Sequence, residues 1–173
     1  MPSLKVGLHE WVVVDLTNNP IELWTSGLSG CVAVAIITPK HAFVTHINSA
    51  VTTQNWENTV ENEFKTAIEK MGDINLAKAC MVVGGQNPTL YNAVVDSVDD
   101  IMNAKTKDEL AVEFVDHKSG VTVSLGGNKP SIKVISNMND EPRQGTLNSN
   151  TGHAYCIARG FFTCATSAVA DLG

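Results

Sequence analysis

The chain has four cysteines and five histidines, and a single short hairpin can bring one of each together. Cys31 closes the stretch Thr25-Ser26-Gly27-Leu28-Ser29-Gly30-Cys31, in which small, turn-forming residues deliver a thiol to the start of an apolar run. Glycines at 27 and 30 let the backbone turn sharply and expose amide N–H groups around Ser29 and Gly30, as an oxyanion site beside a nucleophile requires. The competing reading is that Cys31 is simply the first buried residue of a core strand, because a free cysteine behaves as a small hydrophobe.

A nucleophilic thiol needs a base, and His41 and His46 lie just downstream. If Val32–Ile37 and Ala42–Ile47 form a hairpin, a turn centred between Thr38 and Pro39 sets Cys31 opposite His46. A turn centred one residue later sets Cys31 opposite Asn48, and His46 becomes a diagonal neighbour on the same face. His41 has the wrong parity in either case. Only a one-residue register slip would move His46 to the other face, and that would expose the apolar side chains of one strand.

The other histidines, His9, His117 and His153, read as surface or hydrogen-bonded residues. His153, Cys156 and Cys164 lack a fourth ligand at a standard zinc spacing, so no metal is expected. Gly84-Gly85 reads as a strand-to-helix turn followed by an Asn87 cap. It is no dinucleotide site, because G-x-G-x-x-G and its acidic partner are absent.

The elements that must position these residues follow from periodicity. Trp56, Val60, Phe64, Ala67, Ile68 and Met71 recur on one helical face, with Gly72 as a stop. A second helix starts at Asn87-Pro88 and buries Leu90, Val94, Val95, Val98, Ile101 and Met102. Short β-branched runs at Val32–Ile37, Ala42–Ile47, Ala79–Val83, Ala111–Val115, Val121–Leu125 and Ile132–Ile135 predict strands, as do Trp11–Val14 and Tyr155–Phe162. Gly126-Gly127-Asn128 reads as an ordinary turn, and Asn137–Gly152 as a long loop. The expectation is one layered α/β domain over residues 1–173. It should be a mixed, largely antiparallel β-sandwich with flanking helices, since most connections are too short for parallel crossovers.

Composition narrows the functional classes. A length of 173 residues with 43% hydrophobic and 17% charged residues suits one core without a disulfide framework. Twelve basic against eighteen acidic residues leave a net charge of −6, the wrong sign for gripping nucleic-acid phosphates or an anionic membrane. No apolar run reaches the length of a membrane span, and Met1–Glu10 lacks the features of a signal peptide. Cysteines scattered without C-x-x-C pairs favour free thiols in a reducing compartment.

Leu28-Ser29-Gly30-Cys31 with His46 fifteen residues later resembles the catalytic signature of the bacterial cysteine glutamine deamidases. These are the cytotoxic necrotizing factors, the Burkholderia lethal factor and the chemoreceptor deamidase CheD. Thr25, six residues before the cysteine, matches a threonine that the lethal factor and CheD use to orient the histidine. Ala77–Gly85 is loosely similar to a strand end in CheD. The resemblance covers Ile21–Ser49, and the expectation of a free-standing domain makes the lethal factor the nearest class.

The resemblance implies a thiolate at Cys31 as nucleophile, His46 as general base, Thr25 as its orienting partner, and backbone donors near Ser29 and Gly30. It implies no cofactor. It further implies a bacterial protein acting in a host cytosol as a monomer, on the translation-initiation RNA helicase first and Rho-family GTPases second. Transglutamination, a cysteine peptidase sharing the dyad, and a plain binding domain are the rival readings.

Overall fold

The computed structural model describes residues 2–17, 21–126, 129–142 and 146–163. At its centre lie three strands whose sequences are apolar nearly throughout: β4 (Val32–Ile37), β5 (His41–Ile47) and β6 (Ala79–Gly84). Every residue of β4 is buried, which demands cover on both faces of its sheet.

One face carries Val32, Val34, Ile36, Phe43 and Ile47 and packs against helices. α1 (Thr53–Asn55), a π-helical stretch Trp56–Val60 and α2 (Glu61–Glu69) form one continuous run that presents Trp56, Val60, Phe64 and Ile68. α3 (Pro88–Lys105) presents Leu90, Val94, Val98 and Ile101. Each of these buried side chains contributes about 1.5–3 kcal/mol to holding the layers together. The expected Asn87 cap is present, its side chain accepting from the Leu90 N–H at 3.3 Å. The first helix begins three residues before Trp56, capped by Thr52.

The opposite face, with Ala33, Ala35, Ala42 and Val44, meets a second sheet through Leu4, Leu23, Val121 and Val123. The full strand set is β1 (Ser3–Lys5), β2 (Glu10–Asp15), β3 (Glu22–Ser26), β4 to β6, β7 (Val112–Val115), β8 (Gly120–Gly126), β9 (Lys129–Ile135), β10 (Thr146–Asn148) and β11 (Cys156–Phe161). The six-stranded sheet runs β11-β2-β5-β4-β6-β7 and the five-stranded sheet β10-β1-β3-β8-β9.

The architecture is therefore a mixed α/β arrangement of helices, sheet and sheet, as expected, with antiparallel pairings in the majority. Three pairings depart from that pattern: β1 with β3, β1 with β10, and β6 with β7 are parallel. The last is a crossover through α3, long enough to return the chain in the same direction. Three strands were not expected: β1, β3 and β10. The loop expected over Asn137–Gly152 contains β10, and the turn at Gly126-Gly127-Asn128 lies partly outside the described residues. No helix among the described residues is long and apolar enough to cross a membrane.

Candidate active site

Thr25, Cys31 and His46 occupy one end of the space between the two sheets. Thr25 is on β3, Cys31 immediately precedes β4 and His46 is the next-to-last residue of β5. Ile21, Leu23 and Thr25 are all fully buried, so Thr25 belongs to the inward row of a strand and not to the turn that follows.

The hairpin register settles the Cys31–His46 relation. Val32 pairs with Ile47 and Ala33 with His46. Continuing one rung places Cys31 opposite Asn48, the second of the two expected registers. His46 is then a diagonal neighbour on the face shared with Cys31, within reach of a ring-bearing side chain. The turn is closed by the Thr38 N–H donating to the His41 carbonyl at 2.9 Å, so Pro39 and Lys40 form its centre.

The loop before Cys31 is held by backbone contacts. Gly27 and Gly30 have φ values of +78° and +152°. The Leu28 N–H donates to the Ser119 carbonyl at 3.1 Å, and the Gly85 N–H donates to the Cys31 carbonyl at 3.3 Å. A Cβ on Gly85 would stand 1.4 Å from the Leu28 carbonyl oxygen. Gly85→Ala must therefore push the loop away and is expected to destabilise the chain by about 1–3 kcal/mol. A urea midpoint equal to that of the parent chain would contradict this contact.

The loop amides differ in their engagement. Gly30 donates to the Leu28 carbonyl at 2.7 Å, which removes it as the expected oxyanion donor, because its one N–H is already spent. Among the described residues the N–H groups of Ser29 and Cys31 have no acceptor.

Thr25 fixes the tautomer of His46. The Thr25 hydroxyl donates to the Val6 carbonyl at 2.8 Å and lies 2.7 Å from His46 Nδ1. A hydroxyl has one proton, and Val6 takes it, so Thr25 must accept from Nδ1–H. Nε2 is left with the lone pair. That atom is buried and has no partner among the described residues.

Burial lowers the His46 pKa to about 4, and the nearby positive charges of Lys5 and His9 reinforce the shift. Burial likewise pushes the Cys31 thiol up, only partly offset by hydrogen bonds from the Ser49 backbone and hydroxyl. The resting pair is thus a neutral thiol and a neutral imidazole, where the sequence had suggested a thiolate; desolvation outweighs the local donors. Cys31 is 8% exposed and His46 5%, and no hydrogen bond joins them.

Ser49, which the sequence reading passed over, is the polar neighbour of the thiol. Its Cβ lies 3.1 Å from where a Cβ on Gly30 would be. Two open depressions flank the loop. One of about 180 Å³ is lined by Leu28, Ser29, Gly85 and Lys118, and one of about 480 Å³ by Ser49, Val51, Asn87 and Leu90.

The remaining histidines have other partners or face solvent. His9 is buried, at φ +61°, and its N–H donates to the His46 carbonyl at 2.7 Å. His117 and His153 are exposed, and His41 pairs with Asp73 at 2.8 Å. Cys31, Cys80 and Cys156 are free thiols, and no group of metal-ligating side chains forms among the described residues; Cys164 lies outside them.

No family model matches the sequence, and no curated protein matches it. Among solved structures, the chain is similar to the C-terminal domain of CNFy from Yersinia pseudotuberculosis, at 6% identity and a TM-score of 0.42. The likeness spans 77% of this chain and 58% of that one. A likeness this distant establishes no family membership.

Proposed function

We propose that the chain is a protein-glutamine deamidase that converts a glutamine side chain of a target protein to glutamate through a thioester on Cys31. The observation that carries this reading is the Val6 carbonyl, Thr25 hydroxyl, His46 Nδ1 relay. It leaves a lone pair on Nε2 at the face shared with Cys31. The match of Leu28-Ser29-Gly30-Cys31, His46 and Thr25 to the deamidase signature names the reaction.

In this mechanism His46 Nε2 takes the thiol proton as Sγ attacks the carboxamide carbon. The tetrahedral oxyanion accepts from the uncommitted amides of Ser29 and Cys31. An imidazolium whose pKa is lowered is a stronger acid than an ordinary one, which favours proton transfer from His46 to the departing ammonia. Water, deprotonated by the same ring, hydrolyses the thioester.

The resemblance further suggests a toxin or effector working in a host cytosol, with the translation-initiation helicase as first target and Rho-family GTPases as second. The deciding experiment is mass spectrometry of host lysates treated with the parent chain and with Cys31→Ala. Deamidation adds about 1 Da at one glutamine, only in the presence of Cys31. Cleaved fragments would instead indicate a peptidase, and an unchanged lysate would remove the enzymatic reading.

Thr25→Val removes the acceptor for Nδ1–H and frees the ring to turn. Turnover is expected to fall about 10- to 100-fold, the range typical of lost orienting partners. Full turnover in this variant would show that Thr25 does not orient the base.

A further inference from the structure

The reaction at Cys31 lacks one assigned part, a side-chain donor for the oxygen of the attacked carboxamide. We infer that Asn48 supplies it, so that the site holds the oxygen of a primary carboxamide at Asn48 Nδ2 while His46 Nε2 serves the thiol. This rests on the deamidase reading above and deepens it.

The argument starts from hydrogen-bond accounting. Asn48 is 1% exposed. Its Oδ1 accepts from the Ala50 N–H at 2.9 Å, which fixes which end of the amide is oxygen and which way the group is turned. Its carbonyl accepts from the Val51 N–H at 3.0 Å, and its own N–H donates to His9 Nδ1 at 3.4 Å. Nδ2 alone is left over, a buried donor with no acceptor among the described residues. Leaving such a group unmet is unfavourable, so it calls for a bound acceptor.

Its place in the sheet says which one. The register carries Asn48 to the rung facing Cys31, on the side of the hairpin that holds His46. The site then offers an N–H donor at Asn48, a nucleophilic sulfur on the rung directly opposite it, and a lone pair at His46 Nε2 on the diagonal. A primary carboxamide answers each of these: an acceptor oxygen for Asn48, an electrophilic carbon for the sulfur, and an amine that His46 protonates as it departs. A carboxylate has no amine to protonate and a less electrophilic carbon, so the product glutamate is not attacked again.

As Sγ bonds to carbon, the C=O electron pair moves onto oxygen and Asn48 Nδ2 donates to it. The pair returns as the C–N bond breaks and ammonia departs with the proton from His46. Asn48 exchanges no proton.

The test measures ammonia release from a host cytosolic lysate by the parent chain, Asn48→Asp and Asn48→Ala, together with modification of Cys31 by methyl methanethiosulfonate. That reagent has no carboxamide and reports only on the thiol. Asn48→Asp keeps the Oδ1 acceptor for Ala50, and Asn48→Ala controls for the added charge; thermal melting identifies which variant is folded. The expected result is ammonia release lowered about 100- to 1000-fold in the folded variant, with Cys31 modification within about threefold of the parent rate.

Release within about threefold of the parent overturns the assignment of Asn48 and leaves the deamidase reading standing. A parallel loss of release and of Cys31 modification also overturns it, because Asn48 would then be supporting the thiol. A parent chain that releases no ammonia sinks both.

Discussion

Cys31→Ala is expected to abolish ammonia release, by at least about 10⁴-fold, while folding normally, because the substitution removes the only atom that can form the thioester. The thiol sits at the margin of the inter-sheet cluster, 8% exposed, and is not among the large side chains that fill either core. Losing one buried sulfur costs about 1 kcal/mol, on the scale of one methylene. The check is a pair of measurements on one sample, a urea midpoint and a time course of target deamidation. Activity retained in a folded Cys31→Ala protein would end the proposal, and collapse of the fold would return Cys31 to the status of an ordinary core residue.

The second large effect is the pH dependence set by His46. Its pKa is about 4 in the fold against 6.5 in a free chain. Between those values the unfolded chain binds more protons than the folded one, so stability rises with pH through that window. It is complete above about 6.5 and is lost as pH falls toward 4. The shift corresponds to about 3 kcal/mol.

Four groups bear on this titration: the Thr25 hydroxyl that accepts from Nδ1, the charges of Lys5 and His9 that oppose protonation, and Glu63, which acts on His9. His9 is itself depressed by burial and contributes in the same direction. Urea midpoints from pH 4 to 7 should therefore climb steeply in the parent chain and less steeply in His46→Gln, which cannot titrate. For activity, the acid limb should fall near pH 4 to 5, well below the usual histidine range. An acid limb near 6.5 would show that the ring is solvated when it works.

What the sequence made legible depended on how local the determining forces were. The hairpin β4–β5, the first long helix and the Asn87 cap follow from periodicity and capping within a few residues, and the strand limits at Val32–Ile37 match. Of the two hairpin registers, a local signal favoured the observed one. Proline presets φ for the second position of a four-residue turn, so Pro39 selects Thr38–His41 and hence the pairing of Cys31 with Asn48.

β1, β3 and β10 were hidden because each is short and they pair across long sequence separations; Ser3 meets both Glu22 and Thr146. Thr25 looked like part of a turn because Ser26 and Gly27 follow it, although its spacing of two and four residues from the apolar Leu23 and Ile21 is that of one strand face. Neutral protonation of the Cys31–His46 pair lay beyond any motif, since it comes from burial that only the assembled layers create. Asn48 entered only as a register position opposite Cys31, and Ser49 was passed over, because neither belongs to a motif and each matters only through what it faces.

The relay to His46 crosses from one sheet to the other: the hydroxyl rides on β3 and the imidazole on β5. Competence therefore depends on how tightly two plates are clamped, a collective property that no single strand owns. Mild loosening that widens the gap by an ångström would unhitch the ring while every ladder stays intact, so the protein would fall silent well before it lost its shape. Small alanines at 33, 35 and 42 keep the plates close and so act as distant guardians of the chemistry.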